Sequence, residues 1–156
     1  MKIEEGAHCR YQIRYHIVWK VKYSRHILFG SRISFLTQII TSIAERYEYA
    51  LQAVGVDDNH IHVFVGAHPA IAPAKLVQTL KSITAREMYR RFPEIKRFLW
   101  GGAVWAIGYN IRTVSDGPID RVVKQYVEQQ NKTNKSPKKP YQLKLVPKVT
   151  TTELAP

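Results

Sequence analysis

A single cysteine, Cys9, stands in 156 residues, so the chain has neither a disulfide framework nor a thiolate metal site. No apolar run approaches the roughly 20 residues of a membrane span, and Met1-Lys2-Ile3-Glu4-Glu5 carries no signal-peptide core. A cytoplasmic protein with no membrane partner is expected. Acidic side chains are scarce as well, 12 against 24 Lys and Arg. The basic excess is clustered. Residues 1–32 hold seven basic and two acidic side chains, residues 74–97 again seven and two, and residues 131–156 six Lys and one Glu. Clusters inside the folded part point to a polyphosphate partner, with nucleic acid foremost.

The length suits one domain with a tail. Residues 10–23, "RYQIRYHIVWKVKY", alternate apolar and polar positions, which predicts a long strand with a core face and a basic face. Ser34 is positioned to cap a helix bearing Leu36, Ile39, Ile40, Ile43 and Tyr47. A strand over 49–56, the turn Asp57-Asp58-Asn59 and a second strand opening on "HIHVFVG" read as an antiparallel hairpin. Pro73 suits the start of a helix with Leu76, Val77, Leu80, Ile83, Thr84 and Met88 inward, and Pro93 its end. A strand over 103–113 and a last helix from Pro118 follow. The order predicts an α+β, ferredoxin-like (RRM-like) antiparallel sheet with helices on one face and the last helix as cover. After Gln130 the composition turns to Asn, Lys, Pro and Thr, with a strand-like "YQLKLV" at 141–146. The expected organisation is a domain over 1–131 and a basic C-terminal extension over 132–156, partly mobile or docked on a partner.

His60 and His62 share one face of their strand, since side chains alternate with a period of two. Alone, such a pair suits a packed core or a solvent face. The last helix adds to it. At 100° per residue, Tyr126 and Gln130 fall near the centre of an arc formed with Ile119, Val122, Val123 and Val127. An amide in a buried arc needs a hydrogen bond or a ligand. Two imidazoles and an amide oxygen can hold a divalent cation, Mg²⁺ or Mn²⁺, with positions left for phosphate oxygens. A tyrosine phenol, of ordinary pKa about 10, is a nucleophile once activated.

This combination resembles the single-tyrosine HUH transposases of insertion sequences (the TnpA family, IS200-like). The resemblance spans roughly residues 10–131 and rests on "YHIVWKVKYSRHIL", "DDNHIHVFVGAHP", "KLVQTLKSITAREMYRRFP", the "LW…GY" segment (Leu99, Trp100, Gly108, Tyr109) and "VVKQYVEQQ". It implies the HUH endonuclease fold and a DNA transposase that cleaves and rejoins single-stranded DNA at element ends without ATP. It implies a 5′-phosphotyrosine intermediate on Tyr126, a metal on His60, His62 and Gln130, recognition of subterminal hairpins, and a homodimer with shared active sites. Association with the nucleoid follows when DNA is bound. The turn before His60 departs from the family's common Met-Pro-Asp form. Arg10, Arg14, Lys20 and Lys22 on the first strand, with Lys75, Arg86 and Arg90 on the second helix, are the candidate DNA contacts. Alternatives of neighbouring chemistry are a relaxase or replication initiator and a domesticated HUH endonuclease. A non-catalytic RRM-like module is the alternative of another class, and it would need base-stacking aromatics on a central strand, where only Phe64 shares the histidines' face.

Overall fold

The computed structural model describes residues 3–100, 102–114 and 121, and residues 142–145 as backbone. The predicted last helix from Pro118, with Tyr126 and Gln130, lies outside these, as does the extension apart from 142–145.

β1 (Glu4–Glu5) and β2 (Arg10–Tyr11) form a short antiparallel hairpin. The main sheet is built from β3 (Tyr15–Lys20), β4 (Ala50–Val56), β5 (His60–Gly66), β6 (Asn110–Thr113) and β7 (Gln142–Leu145). Its order is β6-β3-β5-β4-β7, with every neighbouring pair antiparallel. With α1 (Ser31–Arg46) after β3 and α2 (Pro73–Arg91) after β5, the first four strands of this sheet have the ferredoxin-like order. The strand-like segment of the extension is realised as β7, paired to the chain's own β4 from Ala53↔Leu145 to Val56↔Gln142.

Alternation places the core. Ile17, Trp19, Ile61, Val63, Val65, Val54 and Val56 pack with Leu36, Ile40 and Ile43 of α1 and Leu76, Val77, Leu80 and Met88 of α2 in one buried cluster. The other sheet face therefore carries His16, Val18 and Lys20 of β3, His60, His62 and Phe64 of β5, and Asn110 and Arg112 of β6.

Three sequence expectations are corrected. The single strand over 10–23 is broken. β2 pairs with β1, the chain leaves the ladder at residues 12–14, and Arg14 turns inward to 5% exposure. Gly66 admits it: a Cβ there would stand 2.5 Å from both the Arg14 guanidinium and the Ile13 carbonyl. At the far end Tyr23 and Ser24 take positive φ in a 3₁₀ turn, so Tyr23 is exposed rather than core. Secondly, α1 begins at Ser31, with Gly30 as N-cap at φ 57°, which places Ser34 inside the first turn. Thirdly, the strand over 103–113 is reduced to β6, with one bridge between Val21 and Trp105 upstream. The loop between them is held instead by Lys81, whose Nζ donates to the carbonyls of Ala106, Ile107 and Gly108 at 2.6, 3.0 and 3.3 Å. The Pro73 helix start and the hairpin of β4 and β5 are as expected.

Trp105 ties this loop to α2. Its indole N–H donates to Thr84 Oγ1 at 2.9 Å, and the Thr84 hydroxyl donates to the Leu80 carbonyl at 2.7 Å, all buried. Thr84→Val preserves volume but strands the buried indole donor. Urea unfolding should show a loss of about 1–3 kcal/mol, with Thr84→Ser clearly milder. Equal stability of the Val variant would remove this hydrogen bond from the account.

Candidate functional site

The Asp57-Asp58-Asn59 turn delivers the histidine pair to the sheet face opposite α1 and α2. Asp57 closes the turn, its N–H donating to the His60 carbonyl at 2.9 Å, and its carboxylate accepts the Asp58 N–H at 2.8 Å. His60 Nδ1 then lies 2.7 Å from Asn59 Oδ1 and 3.5 Å from the Asp57 carboxylate. The His60 and His62 rings stand 4.9 Å apart between centroids. Each presents an imidazole from one rigid strand, as a two-histidine metal site requires.

Across the ladder, His16 of β3 stands opposite Phe64 and diagonal to His62. Its ring stacks on Phe64 at 4.3 Å and 5° between planes, and its Nε2 is 2.9 Å from His62 Nδ1. Phe64 is only 1% exposed beneath this stack, so it offers no face to a nucleic-acid base. The requirement of an RRM-like binder is unmet on this strand.

Electrostatics favour the neutral form of His62 and of His16. Burial first, and the neighbouring His60 and His16 second, push His62 down to about 4. Burial and then the Arg112 guanidinium lower His16. A neutral imidazole is the form that binds metal. Among the described residues no three His, Cys, Asp or Glu side chains converge to hold an ion. Two imidazoles leave coordination to be completed elsewhere, and the amide expected to do so, Gln130, lies outside the described residues together with Tyr126.

The basic residues divide. Lys20 faces the same side as His60, its partner in register, and is exposed. Lys22 is engaged, its Nζ donating to the Trp100 carbonyl at 2.8 Å. Arg10 is exposed and pairs with Glu5 at 3.0 Å. Arg14 is the exception to an exposed basic face, buried and paired with Glu4 at 3.0 Å. Lys75, Arg86 and Arg90 are exposed on α2, in the layer behind the sheet, and Arg90 pairs with Glu87 at 2.6 Å. They are not brought to the histidines. Sequence reasoning missed three residues of the site: His16, Asn59 and Arg112. The alternation of β3 already put His16 on the polar face. Arg112 joins them only through the pairing of β6 with β3, which sets it opposite His16.

Residues 9–130 match the family model described as "Transposase IS200 like". The chain is 33% identical over 131 residues to the ISDra2 transposase TnpA of Deinococcus radiodurans, covering 84% of this chain and 93% of that protein. It is 24% identical over 129 residues to the transposase for insertion sequence element IS200 of Salmonella typhimurium, covering 83% and 84%. Among solved structures, a candidate transposase from Deinococcus radiodurans superimposes with a TM-score of 0.68 at 31% identity, over 81% of this chain and 97% of that one. A REP-associated tyrosine transposase bound to a REP hairpin shares the fold at a TM-score of 0.54 and 11% identity, over 83% and 75%.

Two outcomes follow from the site's charge. In metal-free protein, unfolded His62 takes a proton below about 6.5, whereas the folded side chain does so only near 4. Between those values the unfolded state holds the extra proton, so acidification favours unfolding. Stability should fall by on the order of 3 kcal/mol from pH 7 to 4 through this group and flatten below it. Denaturant titrations of wild type and His62→Gln across that range should differ in slope; parallel curves would assign the acid sensitivity elsewhere. The second outcome concerns binding to single-stranded DNA. Replacing Lys20 and Arg112 together by Ala should flatten the slope of log K against log salt by about 0.7 per lost phosphate contact. An equal change in a Lys75, Arg86 and Arg90 triple variant alone would place the strand on the helix layer.

Proposed function

This chain belongs to the IS200-like transposase family, and on that premise we propose that it cuts and rejoins single-stranded DNA at insertion-sequence ends with Tyr126 as nucleophile. The observation that carries the reading is the pair of imidazoles on the sheet face opposite the helices, His62 held neutral beside His60. The donor set fits a divalent cation, Mg²⁺ or Mn²⁺. His60 is contacted at Nδ1 by oxygens, which leaves Nε2 as its ligating nitrogen. His60, His62 and Gln130 are the residues assigned to hold the ion. Bound there, the cation supplies polarisation of the phosphodiester and charge stabilisation at the leaving oxygen.

The chain's own groups do the rest. The Tyr126 oxygen gives up its proton to solvent and bonds to phosphorus as the bond from phosphorus to the 3′ oxygen breaks, and that oxygen takes up a proton from solvent. The products are a 5′-phosphotyrosyl enzyme and a strand ending in 3′-OH. Rejoining is the reverse displacement by a 3′-OH, which returns the phenol and needs no ATP because the phosphoester energy is kept in the tyrosyl bond. Lys20 and Arg112, on the histidines' face, attract and align the strand. Recognition of subterminal hairpins belongs to the same proposal, supported by the fold shared with a transposase bound to a REP hairpin. So does a homodimer in which one subunit's Tyr126 serves its partner's histidine pair.

One set of incubations tests the reading. Labelled single-stranded element ends with Mn²⁺ should give an adduct stable to denaturation in wild type. Tyr126→Phe, His60→Ala or excess chelator should each abolish it while leaving most electrostatic DNA binding. Mixing Tyr126→Phe with His62→Ala under subunit exchange should restore cleavage if sites are shared. An adduct formed by Tyr126→Phe would refute the nucleophile. A dead mixture with confirmed heterodimer would refute sharing alone.

A further inference from the structure

β3 brings a third imidazole to the face that bears the histidine pair. His16 stands opposite Phe64 and one diagonal step from His62, and its near-parallel stack on Phe64 fixes its ring plane. In that orientation Nε2 of His16 meets Nδ1 of His62 at 2.9 Å. His60 is held at the same position of its ring, with Nδ1 2.7 Å from Asn59 Oδ1 and 3.5 Å from the Asp57 carboxylate. Both of those partners are oxygens, so His60 Nδ1 carries the hydrogen and its lone pair lies on Nε2. At Nδ1 of His62 the partner is another imidazole, and a hydrogen bond between two neutral imidazoles can run in either direction.

We infer that this bond runs from His62 Nδ1–H to His16 Nε2, making His16 a positioning residue that gives His62 the same tautomer as His60. The hydrogen of His16 itself then sits on its Nδ1. The consequence rests on the metal reading above. A ligating nitrogen must carry no hydrogen, so the opposite direction would place one on His62 Nε2 and remove half of the imidazole pair. A partner at Nδ1 also fixes the ring's orientation and raises the basicity of the ligating nitrogen. Three separate contacts thus serve one end: the Phe64 stack orients His16, His16 orients His62, and Asn59 with Asp57 orients His60. Lysine or arginine at position 16 can only donate, and would force the hydrogen of His62 onto Nε2.

Long-range ¹H–¹⁵N NMR of the full-length, metal-free protein reads imidazole tautomers directly, and Mn²⁺ titration reads the consequence. Wild type should show the His62 hydrogen on Nδ1. His16→Phe keeps a ring on Phe64 but removes the acceptor. It should shift the His62 hydrogen towards Nε2 and weaken Mn²⁺ binding by about 10- to 100-fold. His16→Gln, whose amide oxygen accepts, should recover part of both. A wild-type spectrum with the His62 hydrogen on Nε2 overturns the inference without any variant, and so does an unchanged His62 tautomer in His16→Phe. If wild type bound no Mn²⁺, the metal reading of the site would fail, and the tautomer comparison would still decide the role of His16.

Discussion

The register between β3 and β5 is the constraint on which the rest depends. Tyr15↔Val65 through Lys20↔His60 are paired without interruption. This one alignment puts Ile17, Trp19, Ile61, Val63 and Val65 under the helices and His16, His60 and His62 on the other face. Because the side-chain period is two, a slip of one residue would bury the imidazoles and expose the core. The apolar cluster is therefore what holds the polar one in place. Burial of the large side chains beneath the sheet specifies the register far more strongly than any hydrogen bond above it could.

Most of the architecture was legible because the strongest signals are periodic. The His-x-His strand, the turn before it, the helix from Pro73 and the short strand near 142 all follow from alternation or from turn and proline chemistry. The failures share a cause. "RYQIRYHIVWKVKY" alternates at every position but Val18, yet alternation does not say where a ladder partner ends, and Arg14 and Tyr23 depart from the run at its two ends. The segment before β6 has strand-like residues but its carbonyls are taken by the Lys81 ammonium, a partner that no local pattern reveals. Within the site, His60 and His62 could be paired from sequence because both lie on one strand. The contact of His16 with His62 spans 46 positions and appears only once the register is known. Tyr126 and Gln130, read from a helical arc, lie beyond what the structure describes.

The chain is strongly basic, yet the centre of its site is built from imidazoles rather than from lysine or arginine. A lysine or arginine among His16, His60 and His62 would compete with a cation for the same phosphate oxygens. His62 and His16, whose charged forms burial disfavours, avoid this while still offering lone pairs. Fixed positive charge stands directly beside the imidazoles, Lys20 opposite His60 and Arg112 opposite His16, where it can draw in a polyanion.

The close approach at Gly66 has a consequence for the backbone. Shortening Arg14 would not make room for even a methyl group, because the Ile13 carbonyl stands at the same distance from the missing Cβ. A side chain at position 66 therefore requires the main chain around Ile13 to move, whatever is done to Arg14. Glycine here and the interruption between β2 and β3 are two sides of one packing constraint.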